Sequence, residues 1–149
     1  YFDKKIPQAK VDPKEEPLIE MTYEIWAKVK KSMLEYDPRS ALSEIWKAVT
    51  AANQFVEEKK PWALAKDPAK KEKLARTLYV LAEFLSHAAV ILLAFTPNTA
   101  KKILERLNLS PSWTIQSDDD YAKPLAPIDQ EVERGDPLFP RLEELDEVK

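Results

Sequence analysis

Apolar residues recur along this chain at the spacing of helix faces. From Pro17 to about Tyr36, Leu18, Ile19, Tyr23, Ile25, Trp26, Val29, Met33 and Leu34 follow that spacing, with Glu20, Glu24, Lys28, Lys31 and Glu35 left outward. Asp37-Pro38 opens the next helix, a carboxylate able to cap free amides before a proline that needs no donor. Leu42, Ile45, Trp46, Val49, Ala52, Phe55 and Val56 then form a stripe that places Trp46 in the core. Lys60-Pro61-Trp62 interrupts this helix, and Trp62 to Lys66 has room for one further turn. Asp67-Pro68 repeats the device and starts the longest segment, to about Phe95, with Leu74, Leu78, Leu81, Leu85, Ala88, Ala89 and Leu92 inward. Its second half, LSHAAVILLAF, is apolar nearly all round, as the central helix of a bundle would be. Thr96-Pro97 starts a last helix through Leu107, carrying Ala100, Ile103 and Leu104 inward, with Asn108 as a left-handed terminator.

The ends lack this pattern. Pro7, Pro13 and Pro17 make residues 1 to 16 an extended lead-in. Beyond Leu107 the periodicity fades into an irregular tail, 108–149, in which Leu138-Phe139-Pro140 is expected to dock on the bundle. Arg141 to Glu147 is expected to form a terminal turn or the start of a helix, and the aspartates 118–120 a solvated loop. The expectation is a single all-α domain, residues 1–149, whose helical bundle spans 17–107.

Composition narrows the chemistry. Twelve prolines and one glycine, Gly135, favour helices punctuated by proline and exclude a phosphate-cradling glycine loop. With no cysteine and one histidine there is no thiolate metal site, cysteine nucleophile or histidine cluster, so no catalytic or metal residue is assigned. His87, on the most buried helix, reads as a hydrogen-bonded packing residue. The pairs Glu57-Glu58 and Glu143-Glu144 point different ways on helices and read as solvated faces. No uninterrupted apolar run reaches the roughly 18 residues of a membrane span and the start has no leader pattern, so no membrane partner is expected and a cytoplasmic address is compatible.

Charge is uneven behind a net of −3. Lys59 to Arg76 holds seven positives against two negatives, while Ser110 to Lys149 holds eleven acids against four bases. The basic stretch contains Trp62, which has two readings. Folded under the proline corner, it fills the end of the bundle. Exposed among Lys59, Lys60 and Lys66, it offers a face on which a nucleic-acid base stacks while the lysines hold phosphates.

The string ALSEIWKAVTAANQFVEEKKPWALAK, from Ala41, resembles the anticodon-binding domain of methionyl-tRNA synthetase, in which a helix of this type leads into a Pro-Trp corner. YFDKKIP at the start resembles the segment after that domain's first helix. TLYVLAEFLSHAAVILLAFTP resembles its central helix and turn, and GDPLFPRLEE its closing LFPRI segment. The resemblance implies a class I synthetase anticodon-binding bundle that reads the CAU anticodon of methionine and initiator tRNAs. By the same resemblance Trp62 is the residue that stacks on an anticodon base, and Asn53 matches an asparagine in a positioning role. The family's other two readers, an asparagine and an arginine on a helix before the YFD segment, have no counterpart in residues 1–149, nor do the HIGH and KMSKS elements. The resemblance therefore implies a fragment of an ATP-dependent aminoacylating enzyme. Its partners would be the tRNA(Met) anticodon stem-loop and the catalytic domain of the same chain. ATP, and a metal ion if one is used, would belong to that absent part, with no cofactor here. Absence of one helix would leave an apolar groove able to pair with a second copy. The alternatives are the equivalent domain of another class I synthetase, such as the cysteinyl enzyme, and a helical protein-interaction module.

Overall fold

The structure, a computed structural model, describes residues 1–109 and 123–139. Five α-helices form among them: α1 (Pro17–Leu34), α2 (Pro38–Lys59), the single turn α3 (Pro61–Leu64), α4 (Lys71–Leu92) and α5 (Pro97–Arg106). A 3-10 turn, Pro68–Lys70, leads into α4. Four of the five begin with proline at their first position, where a missing N–H costs no hydrogen bond.

The two Asp-Pro devices work as read. Asp37 Oδ1 accepts the Ser40 amide at 2.9 Å and its Oδ2 accepts the Ser40 hydroxyl at 2.6 Å. Asp67 Oδ1 accepts the Ala69 amide at 3.0 Å. Thr96 makes no side-chain cap, so α5 relies on Pro97 alone at its start. With glycine absent from the bundle, left-handed corners fall to other residues: Tyr36 (φ 57°), Lys60 (φ 47°) and Asn108 (φ 56°).

The short turn after α1 folds α2 back along it, and α4 packs across both. Leu18, Ile19, Ile25 and Val29 of α1 meet Ala41, Ile45, Ala48, Ala52 and Phe55 of α2 and Tyr79, Val80, Phe84, Ala88 and Ile91 of α4. Three alanines on α2 let the helix backbones approach closely. A second cluster joins Ala82 and Ala89 of α4 to Leu104, Leu107 and Leu109 at the far end of α5 and to Ile6 of the lead-in. Because α4 serves both clusters, it is buried on two sides. The stretch Pro68–Leu92 has the length and composition of a membrane span, although charges break its apolar run, yet 67% of its most apolar window is buried within the protein. Central helices of bundles share that composition.

Several residues read as inward are not. Trp46 is 58% exposed and Leu85 41%, while Met33 and Leu34 at the end of α1 are 43% and 71% exposed. On α2 the buried face is 41, 45, 48, 52 and 55, one position behind the stripe of large residues 42, 46, 49 and 56. Those large residues line one wall of an open apolar groove of about 510 Å3; Leu81, Leu85 and Leu92 of α4 stand opposite, and Leu138 and Phe139 also border it. Phe139 is 78% exposed, so the expected hook lies along the groove without burying its ring. Pro140, residues 141–147 and the aspartates 118–120 lie outside the described residues.

The lead-in begins with a left-handed turn at Phe2, Asp3 and Lys4, so it is less extended than its prolines suggest. Residues 123–139, the return segment, run beside it. The Asp129 amide donates to Ile6 O at 2.9 Å and the Val132 amide to Lys4 O at 2.8 Å. Farther on, Arg106 donates to the Asp136 carbonyl. Gly135 makes room for that guanidinium, since a Cβ there would stand 2.5 Å from Arg106 Nε.

Candidate nucleic-acid interface

Helix α2 stops because Lys60 turns left-handed, donating its amide to Val56 O at 3.0 Å, and Pro61 follows without a donor. Pro61 then starts α3, whose amides from Ala63 and Leu64 return to Lys60 O at 2.8 and 3.1 Å. This tight turn holds Trp62 on the outside of the corner, 45% exposed. The indole is neither a fully buried wedge nor a free side chain. The residue is about half covered and half open to solvent.

Around it the lysines differ in freedom. Lys59 reaches back to the buried Glu16, 3.5 Å away, and its ammonium lies 5.0 Å above the Phe55 ring. Lys70 pairs with Asp67 at 3.0 Å, and that bond, followed by the Ala69 amide, holds the Asp67 carboxyl below the usual carboxylate range. Lys71 lies 5.6 Å above the Phe2 ring. Lys60 and Lys66 are exposed and form no ion pair among the described residues. Nearest Trp62 the lysines therefore differ: Lys59 is held back by Glu16, while Lys60 and Lys66 are exposed and, among the described residues, unpaired.

Asn53 is exposed on α2, seven residues before Lys60 and so roughly 10 Å along the helix axis. It borders the groove that Trp46 lines rather than the corner. The structure thus gathers Trp62, Lys60 and Lys66 at one place and leaves Asn53 on a neighbouring face.

His87 is 1% exposed, with Nδ1 3.0 Å from Glu83 O and its ring edge-on to Tyr23 at 5.4 Å, the packing role its position suggests. Sequence reasoning passed over the residue beside it. Glu83 is completely buried; its carboxylate accepts the Leu125 amide at 2.9 Å and the Ala126 amide at 2.7 Å. The Tyr23 phenol is pushed well above its ordinary value, first by burial and then by this carboxylate, to which it hydrogen-bonds. The available signal was an acid in the middle of an apolar helix, a position that demands partners.

The family described as the anticodon binding domain of methionyl tRNA ligase matches residues 6–148. A methionine–tRNA ligase of Halalkalibacterium halodurans is 36% identical over 99% of this chain, and that of Bacillus subtilis 35% identical over 99%. This chain spans only 23% and 22% of those relatives' lengths. Among solved structures, the free methionyl-tRNA synthetase of Mycobacterium tuberculosis superposes with a TM-score of 0.82 at 23% identity, over 95% of this chain and 28% of that one, a likeness of fold. These matches fall on the methionyl family, the first of the synthetase readings. Helical architecture, the Pro-Trp corner and the match across nearly all its length agree: the chain belongs to the family of methionyl-tRNA ligase anticodon-binding domains.

Proposed function

We propose that this domain reads the CAU anticodon of tRNA(Met) for a methionine–tRNA ligase, with Trp62 stacking on an anticodon base. The observation that carries the reading is an indole held on a tight turn, 45% exposed, beside two exposed lysines. A base laid on such a ring gains about 1–3 kcal/mol, and single-stranded loops expose bases in that way. Lys60 and Lys66 contribute phosphate contacts that set affinity and orientation without reading sequence, and Lys59, tied to Glu16, contributes less. Asn53 acts at a distance, as a positioning residue on α2. The chemistry belongs to the catalytic part of the parent protein, which uses ATP, works in the cytoplasm and receives the acceptor end of a tRNA whose anticodon is held here. Binding energy far from the reacting bond is then used to place it.

The test is a titration of this chain with two RNA hairpins of one stem, one carrying CAU in its loop and one with those three bases replaced. Preference for the CAU hairpin, persisting across a salt series, supports the reading. Equal affinity for both, or no binding to either at low salt, overturns it for this chain.

A further inference from the structure

We infer that Glu83 is a positioning residue for the Trp62 corner, acting through the return segment and the lead-in. This rests on the proposed function only in the use assigned to Trp62; the mechanical link stands on its own contacts. Its first joint is the carboxylate. Glu83 has no exposed surface, accepts two consecutive backbone amides, Leu125 and Ala126, and is hydrogen-bonded by the Tyr23 hydroxyl. His87 Nδ1 stands 3.4 Å from the same carboxylate. An apolar residue of that volume would serve stability as well, since burying a carboxylate is costly even when it is paired. What the carboxylate supplies is register: two adjacent N–H groups must meet two oxygens, so the segment can lie in only one way.

The second joint transmits that register. From Ala126 the chain runs three residues to Asp129, whose amide bonds Ile6 O, and on to Val132, whose amide bonds Lys4 O. Ile6 is buried, 5% exposed, and its own amide donates to Gln130 O at 3.3 Å. The lead-in is thereby fixed by both backbone and side chain. At the third joint the Lys71 ammonium lies 5.6 Å above the Phe2 ring, and Phe2 and Asp3 line, with Leu64, Asp67 and Lys71, a hollow of about 290 Å3. Trp62 stands two residues before Leu64 on the same single-turn helix. A helix of one turn cannot hold its own orientation, so its inner side must be set by what it rests on. α3 also packs directly on α4, and the question is whether that contact alone suffices.

Backbone amide exchange, followed by mass spectrometry on this chain, separates the two cases without RNA. Glu83→Gln keeps the volume but turns an N–H toward the Leu125 and Ala126 donors. Val132→Pro leaves Glu83 intact and removes the amide that bonds Lys4 O. In Glu83→Gln the amides of 125–132 and 4–6 exchange about 10-fold faster, and those of 63–67 accelerate with them, while the α1–α2 core keeps its rates. In Val132→Pro the 125–126 amides stay protected, yet 4–6 and 63–67 still accelerate. Uniform acceleration throughout the chain would indicate general destabilisation and overturn the inference. So would wild-type rates at 63–67 in Val132→Pro, whether or not Glu83→Gln folds. If Trp62→Ala leaves hairpin binding unchanged, the functional reading falls while this coupling is judged by exchange alone.

Discussion

Two corners of this bundle are built alike and differ in what they offer. At the first, Tyr36 turns left-handed after α1 and Asp37-Pro38 starts α2; at the second, Lys60 turns left-handed after α2 and Pro61-Trp62 starts α3. Each presents an aromatic ring, and Tyr36, 94% exposed, is far more open than Trp62 at 45%. Exposure alone would therefore favour the Tyr36 corner over the proposed one. A fully open ring has more freedom to lose when a base stacks on it than one already half covered. Charge separates the corners as well. Tyr36 lies between Glu35 and Asp37, Trp62 between lysines.

The sharpest way to break this comparison is to truncate both rings. Trp62→Ala is expected to weaken binding of the CAU hairpin roughly 5- to 150-fold, the equivalent of about 1–3 kcal/mol, with the fold retained. Tyr36→Ala should leave it unchanged and shift stability by no more than about 0.5 kcal/mol, as exposed positions do. Equal losses from the two variants, measured by titration, would mean that neither partial burial nor the neighbouring charge decides which ring binds. A large fall in Trp62→Ala melting temperature with unchanged affinity per folded molecule would restore the indole to the core.

Next in size is the charge contrast. Lys60→Glu and Lys66→Glu should each weaken binding to the CAU and substituted hairpins alike and reduce the slope of log K against log salt by about 0.7, the share of one single-strand phosphate. Lys59→Glu should move the slope less, because Lys59 already faces Glu16, and its larger effect should be on stability through the buried acid left unpaired. A salt slope that survives the Lys60 and Lys66 changes removes both from the phosphate contacts.

Much of the bundle was legible because proline and aspartate mark its corners. Asp37-Pro38, Lys60-Pro61 and Asp67-Pro68 each stand where a helix or its leading turn begins, since a capping oxygen and a missing N–H have local consequences. Which face turns inward was harder to read. On α2 a reading led by side-chain size selects Trp46, but the core there is made by Ile45 and Phe55 together with Ala41, Ala48 and Ala52, a face one position away. On α4, whose second half is apolar nearly all round, periodicity cannot choose a face: it points Leu85 inward, while Tyr79, Val80 and Phe84 form the core. The site divides in the same way. Trp62 could be singled out by its proline and its lysines, but the bracing of Lys59, the separation of Asn53 from the corner and the grip of Glu83 on Leu125 depend on residues distant in sequence. No local pattern encodes such pairings.

The smallest expected effect compares the first corner with the Asp67-Pro68 turn that leads into α4, by how their aspartates are held. Asp37 owes its lowered carboxyl first to the Ser40 hydroxyl and then to the Ser40 amide; Asp67 owes its own first to Lys70 and then to the Ala69 amide. A carboxylate with a lowered folded-state pKa adds stability that is complete above its unfolded value, near 3.9, and is lost as pH falls through the folded one. Asp37→Asn and Asp67→Asn keep a capping oxygen but remove that titration. Each variant should melt below the parent at neutral pH, with the gap closing below about pH 4. Salt should then part them. An ion pair at the surface is screened, whereas a hydroxyl bonded to a carboxylate is affected far less. Raising ionic strength at neutral pH should shrink the Asp67→Asn gap and leave most of the Asp37→Asn gap. Identical salt responses in thermal melts would mean that Lys70 does not hold Asp67 in solution, and the turn into α4 would then owe its shape to Pro68 and its backbone bonds.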